Sequence, residues 1–277
     1  MVAVQAHVDD IPLFCAGTIA KLISEGYKGY LINTTNDEKC GPTSSMGETI
    51  LSNEREVEDL ANVLGLQEVF NLGYRNHRMD EASPLELRAR LVFLFRHLKA
   101  NTVFIFNPWG EDEENPDHYV TGRAVEAACW MAGMGKDYPE QVAAGMKPHG
   151  IKEKYYWVVR PGQPFNLVVD ISDQIETKIA AMSVNKSQGP AGAHGSKLQA
   201  SLRDKGLHLP ALEGDSETAD REYIRLFGLK DFRDLGQEHG FDFAEGFYHI
   251  SLRFGFIGSV DEKKVQEYVD KNVTSLS

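Results

Sequence analysis

Four short apolar runs, residues 1–4, 27–34, 69–72 and 102–106, alternate with stretches whose apolar positions recur at helical spacing, and this alternation constrains the fold more than any other feature. Each run is short and bounded by turn residues, so it reads as a strand. Residues 13–23, 55–64, 84–99 and 119–131 carry the three-and-four repeat of a helix face. Strand and helix in alternation predict an α/β chain, a Rossmann-like and mostly parallel sheet with helices on both faces. In such sheets ligands bind outside the carboxyl ends of the strands. The loops after residues 4, 34, 72 and 106 therefore define the rim where a site is expected.

The first of these loops holds Ala6-His7-Val8-Asp9-Asp10, an imidazole and two carboxylates within four residues where a strand gives way to a helix. Side chains alternate along a strand and the chain then turns, so His7 and Asp10 can converge on one point while Asp9 lies beside them, free to touch a bound water. Zinc takes imidazole nitrogen and carboxylate oxygen at about 2.0–2.2 Å, and a catalytic zinc keeps three protein ligands and one open position. A third ligand must come from far along the chain. Of the nine histidines, His118 is best placed, because it follows the loop after the fourth strand and stands at a helix start on the same rim. The plainer alternative has Asp9 and Asp10 capping a helix, His7 satisfied at a strand end and His118 exposed near a cap.

Further along, residues 154–159 and 165–170 read as two more strands and 173–182 as a helix. Residues 186–220 are polar and rich in Gly, Ser and Pro, which predicts a long loop acting as a lid or substrate wall. Helical spacing resumes at 222–227, and 241–249 is an aromatic segment. No repeat and no boundary separates a second core, so the 277 residues, 42% of them hydrophobic, read as a single domain. A formal net charge of −12 excludes the basic footprint of a nucleic-acid binder. The three cysteines, Cys15, Cys40 and Cys129, are odd in number and widely spaced, which points to a reducing compartment, the cytoplasm, and not to a disulfide framework. Neither a transmembrane run nor a signal peptide is legible, although so early a first strand is compatible with a leader removed upstream.

Ala6-His7-Val8-Asp9-Asp10 followed by Gly17-Thr18-Ile19-Ala20 resembles the opening of the LmbE/PIG-L superfamily of zinc-dependent N-deacetylases. Four later stretches are similar to its other motifs: Arg55-Glu56-Val57-Glu58 with Ala61 and Leu64-Gly65, Leu72-Gly73-Tyr74-Arg75-Asn76, Asn115-Pro116-Asp117-His118, and Phe243-Ala244-Glu245-Gly246-Phe247. They stand in family order and span most of the chain. The resemblance implies one deacetylase domain over residues 1–277, zinc ligands His7, Asp10 and His118, and Asp9 as general base. It also implies Asp117 as a carboxylate that orients a ligand histidine. Arg55, Asn76 and Asn115 fall at substrate-contact positions, with an Arg55–Glu58 ion pair as the alternative for Arg55. The implied activity is removal of an acetyl or other acyl group from a small N-acylated amino sugar or its conjugate, and a homo-oligomer would be in keeping with the family.

Three positions depart from the pattern. Ile11 stands for a glutamate, Asn115 for the first histidine of the His-Pro-Asp-His element, and Asn76 for an aspartate. An amide at 115 can donate a hydrogen bond but supplies no imidazole, and His77 or His194 would have to compensate. These departures keep two other readings open, a non-catalytic or weakly catalytic carbohydrate-binding relative and an amidase acting on a thiol-sugar conjugate.

Overall fold

The computed structural model describes residues 1–41, 45–188, 192–252 and 258–274. Its strands are β1 (Val2–Gln5), β2 (Tyr30–Thr35), β3 (Val69–Tyr74), β4 (Thr102–Phe106), β5 (Glu153–Trp157), β6 (Leu167–Asp170) and β7 (Ala244–Ser251). They form one seven-stranded sheet in the order β3-β2-β1-β4-β5-β7-β6. The neighbours from β3 through β5 pair in parallel, and among the described strands β7 alone runs antiparallel, between β5 and β6. Every residue of β1 and of β4 is buried, which is why these strands read as unbroken apolar runs instead of alternating ones.

The helices are α1 (Asp10–Phe14), α2 (Ala16–Ser24), α3 (Met46–Leu64), α4 (Pro84–Leu98), α5 (Pro116–Met131), α6 (Pro139–Ala143), α7 (Ile175–Val184), α8 (His194–Asp204), α9 (Ser216–Tyr223), α10 (Lys230–Glu238) and α11 (Glu262–Asn272). The chain steps from β1 to β2 to β3 on one side of β1, then crosses back to β4 on the other. Right-handed crossovers therefore place α2 and α3 on one face of the sheet and α4 on the opposite face. Helix α7 packs with α2 and α3, and α5 packs with α4, completing the two layers. The order of strands reverses between β1 and β4, and the carboxyl ends of those two strands frame the crevice where such folds bind ligands. None of the helices among the described residues is long and apolar enough to cross a membrane.

Two expectations need correction. The single helix read over 13–23 is broken at Cys15 (φ −148°, ψ 9°) into α1 and α2. A buried ion pair sits in the break. Lys178 Nζ donates to the carbonyls of Pro12 (3.2 Å) and Leu13 (2.9 Å) at the end of α1 and to Glu245 Oε1 at 2.8 Å. Glu245 in turn accepts from Gly17 N (3.0 Å), Thr18 N (2.8 Å) and Thr18 Oγ1 (2.6 Å) at the start of α2. A cation thus meets one helix's carbonyl end and an anion the next helix's amide end, each favoured by the local dipole.

Residues 186–220, read as a long loop, carry α8, a 3₁₀ turn at Pro210–Leu212 and most of α9; residues 189–191 lie outside the described set. Helix α8 approaches α9 closely at Gly195, where any Cβ would fall 2.0 Å from the Ala219 carbonyl oxygen. The glycine that reads locally as a breaker is here the point of contact between two helices. Asp215, accepting from Thr218 N at 2.8 Å, caps α9.

Candidate metal centre

His7 follows β1 and His118 follows β4, so two residues 111 positions apart meet across the crevice between adjacent strand ends. His7 Nδ1 lies 2.9 Å from His118 Nε2, and Asp10 Oδ1 lies 3.9 Å from the first and 3.5 Å from the second. A tetrahedral centre bound at about 2.0–2.1 Å holds its ligand atoms about 3.4 Å apart, and this triangle brackets that value. Two ring nitrogens 2.9 Å apart beside a carboxylate are held together by a shared proton, or by a cation in its place. The residues present therefore fit a zinc-sized ion with three protein ligands.

The surrounding groups fix each ligand. Asp10 Oδ2 accepts from the backbone N–H of Ala6 (2.9 Å) and His7 (2.7 Å), which leaves Oδ1 facing the two rings. His7 Nε2 is 3.1 Å from Asp117 Oδ2, so in the neutral ring that nitrogen carries the proton and Nδ1 keeps its lone pair for a metal. Asp117 is fully buried and also accepts from His77 N (2.6 Å), Met79 N (3.2 Å) and Asn76 Nδ2 (3.3 Å). Its burial works to raise its pKa, yet His7 and the two backbone N–H groups outweigh this and hold it below the usual carboxylate range. Burial likewise opposes charge on His7, while the neighbouring Asp10 and Asp117 raise its pKa well above the ordinary value. His118 stacks on Phe106 of β4, with ring centroids 4.0 Å apart, and its Nδ1 faces Glu113 Oε2 at 3.2 Å.

A second group of metal-capable side chains, His7, His77 and Asp117, shares His7 through its other edge. Asp117 is already saturated by donors there and His77 is exposed, so the triad of His7, Asp10 and His118 is the better cage. Asp9 stands beside it, half-buried, with its side chain making no cap hydrogen bond. Burial, and then the negative charge of Asp10, push its pKa up to about 7.

The remaining sequence candidates fall differently. Arg55 is exposed and forms no ion pair with Glu58; the inward face of α3 is instead Asn53, which donates to the Asp37 carbonyl at 2.9 Å, and Glu56, which accepts from Ser187. Two positions along a helix rotate a side chain by about 200°, which turns Arg55 away from the face that Asn53 presents. Asn76, expected to touch substrate, is fully buried and bridges Asp37 Oδ1 (3.1 Å) to Asp117. A neutral amide between two carboxylates avoids the like-charge repulsion that an aspartate would add. Asn115 caps α5, its Oδ1 accepting from Asp117 N at 3.0 Å.

Sequence reading missed Asp37 and Glu113. Asp37 is buried, accepts from Val8 N at 3.2 Å and from the Gln188 amide, and so pins the loop between His7 and Asp9. Its only signal was membership of the polar loop that follows β2. Glu113 lies in the acidic run before His118, where a partner for the far nitrogen of a ligand histidine is to be sought.

Residues 2–129 match the protein family described as PIG-L: GlcNAc-PI de-N-acetylase. A diacetylchitobiose deacetylase of Thermococcus kodakarensis is 29% identical over 195 residues, covering 69% of this chain and 70% of that protein. The solved N,N'-diacetylchitobiose deacetylase from Pyrococcus horikoshii shares the fold with a TM-score of 0.72 at 22% identity, over 92% of this chain and 85% of the other. GalB, the 4-carboxy-2-hydroxymuconate hydratase of Pseudomonas putida KT2440, aligns with a TM-score of 0.65 at 16% identity, over 90% and 95% of the two chains.

Proposed function

We propose that this chain, an LmbE/PIG-L-type protein, is a zinc-dependent hydrolase that removes the acetyl group from a small N-acetylated amino sugar. One observation carries the reading: His7, Asp10 and His118 converge within 2.9–3.9 Å at the strand switch point, next to Asp9, whose side chain makes no cap hydrogen bond. A fold that also serves a hydratase does not by itself choose the reaction, so the site must.

Bound at this triad, zinc would acidify a water and polarise the amide carbonyl. Asp9 takes a proton from the attacking water as the carbon–oxygen bond forms, and delivers it to the nitrogen as the carbon–nitrogen bond breaks. The products are acetate and the free amine. Asp117 keeps His7 in the tautomer that presents Nδ1, and Glu113 faces the far nitrogen of His118. Phe106 covers one face of the His118 ring.

The test is elemental analysis of the wild type and of His118→Ala, paired with release of free amine from a panel of N-acetylated mono- and disaccharides. About one zinc per chain and amine release, both lost in the variant, are expected. Metal bound at full occupancy without release from any sugar would favour the carbohydrate-binding reading, for which the commitment of Asn115 to a helix cap is the motivating observation. A wild type that binds no metal would end the proposal.

A further inference from the structure

Asn185, the residue after α7, is 2% exposed and carries a cost that its place in the fold does not explain. Its Oδ1 is buried and meets no donor among the described residues. An unpaired buried amide oxygen is unfavourable, and a leucine of similar shape would fill the same space without it. The backbone asks for no asparagine either. Its φ of −77° and ψ of 79° form an inverse γ-turn, closed from Lys186 N to the Val184 carbonyl at 2.9 Å, a conformation common at the ends of elements.

What the side chain does is reach the loop that carries the metal ligands. Its Nδ2 donates to the Val8 carbonyl at 3.1 Å, across 177 positions of sequence. That carbonyl belongs to the peptide plane joining Val8 to Asp9. The plane on the other side of Val8 is held as well: Val8 N donates to Asp37 Oδ2 at 3.2 Å, and Gln188, on the same stretch as Asn185, donates to that oxygen too. Val8 lies between β1 and α1, so neither a sheet ladder nor a helix satisfies its buried main-chain groups, and these side chains do. Helix α7 is itself fixed against α1, through Lys178 and the carbonyls of Pro12 and Leu13.

The neighbouring ligands are aimed by contacts of their own, His7 by Asp117, and Asp10 by the N–H groups of Ala6 and His7. Asp9 makes no cap hydrogen bond, so its direction depends on the backbone that carries it. Turning the Val8–Asp9 plane changes ψ of Val8 and φ of Asp9, and with them the rotamers open to the Asp9 side chain.

We infer that Asn185 is a positioning residue: by holding the Val8 carbonyl it fixes the peptide plane that aims the Asp9 carboxylate at the proton of the attacking water. This rests on the hydrolase reading above, in which Asp9 is the base.

The variants to compare are Asn185→Leu and Asn185→Ala, both without the donor, each made in the wild type and in Asp9→Asn. In the wild-type background zinc content and KM are expected to be unchanged. The kcat is expected to fall about 10²-fold, the effect of displacing a reacting group by about 1 Å. In the Asp9→Asn background the same substitutions should lower kcat no further, since a residue that acts through the base has nothing to act on once the base is gone. Wild-type kcat in both donorless variants would overturn the inference while leaving the hydrolase reading intact. A further fall in the Asp9→Asn background, lost zinc, or failure of both variants to fold would give Asn185 a structural role and overturn it equally. A wild type that releases no amine from any N-acetylated sugar would remove the reading itself, and this inference with it.

Discussion

Asp117 Oδ2 lies 3.1 Å from His7 Nε2, a contact between a helix start after β4 and the loop after β1. This single hydrogen bond decides which edge of the His7 ring faces Asp10 and His118. With Nε2 protonated toward Asp117, Nδ1 is left as the donor of a lone pair.

Asp117→Asn keeps the shape of the side chain and its cap neighbours while weakening its pull on the imidazole proton. Zinc affinity is expected to fall about 10–100-fold, as for other carboxylates that orient ligand histidines. Competition titration with a chelator measures it. Affinity equal to wild type would mean that the contact does not set the ligand's tautomer.

Asp9 acts as a base only when ionised, so kcat/KM should rise with pH along an acidic limb. Burial and Asp10 place the carboxyl near 7, and a bound cation favours the carboxylate, so the limb is expected at or below about that value. In the metal-free protein the sign for stability is opposite. The native state keeps a proton that the unfolded chain loses near 3.8, so this residue's contribution is full below 3.8 and is lost as pH rises through about 7. Asp9→Asn should therefore gain in thermal midpoint relative to wild type across that window, with little difference at its acidic end.

Asn115 caps α5, and the Ala variant is expected to lose about 1 kcal/mol of stability, within the usual range of about 0.5–2 for a lost cap. Asn115→Ser, which restores a capping oxygen, should recover it. Denaturant unfolding of both variants reads the difference. Equal stability of the alanine variant and wild type would show that the cap contributes nothing here.

Lys178 and Glu245 are fully buried partners at 2.8 Å, holding the break between α1 and α2. Removing the cation alone strands a buried carboxylate, and Lys178→Ala is expected to cost about 3–5 kcal/mol. At about 2–4 °C per kcal/mol for a chain of this size, a fall in thermal midpoint of roughly 10 °C should follow. A loss within a degree or two would mean that water reaches the pair.

Residue order determined much of this molecule. Buried strands must be apolar on both faces, and helices must show one apolar stripe, so the parallel α/β layout was legible from spacing alone. The crowding of His7, Asp9 and Asp10 at a strand end was legible for the same reason, since neighbours in sequence at a turn are neighbours in space. His118 could be placed on the same rim because it follows the fourth strand, while the pairing of β4 with β1 that brings it to His7 came from the fold. Tertiary structure decided what depends on orientation. The resemblance put Arg55 at a substrate position; that α3 turns Asn53 and Glu56 inward and leaves Arg55 exposed, without the ion pair to Glu58, came from the fold. Asn76 and Asn115 looked like free amides until the fold committed one to two carboxylates and the other to a helix cap. The break at Cys15 depends on Lys178 and Glu245, and the close approach at Gly195 on Ala219. Local propensity reports what a residue prefers among its neighbours in sequence. A hydrogen bond to a partner more than a hundred positions away follows only once the sheet has set their separation.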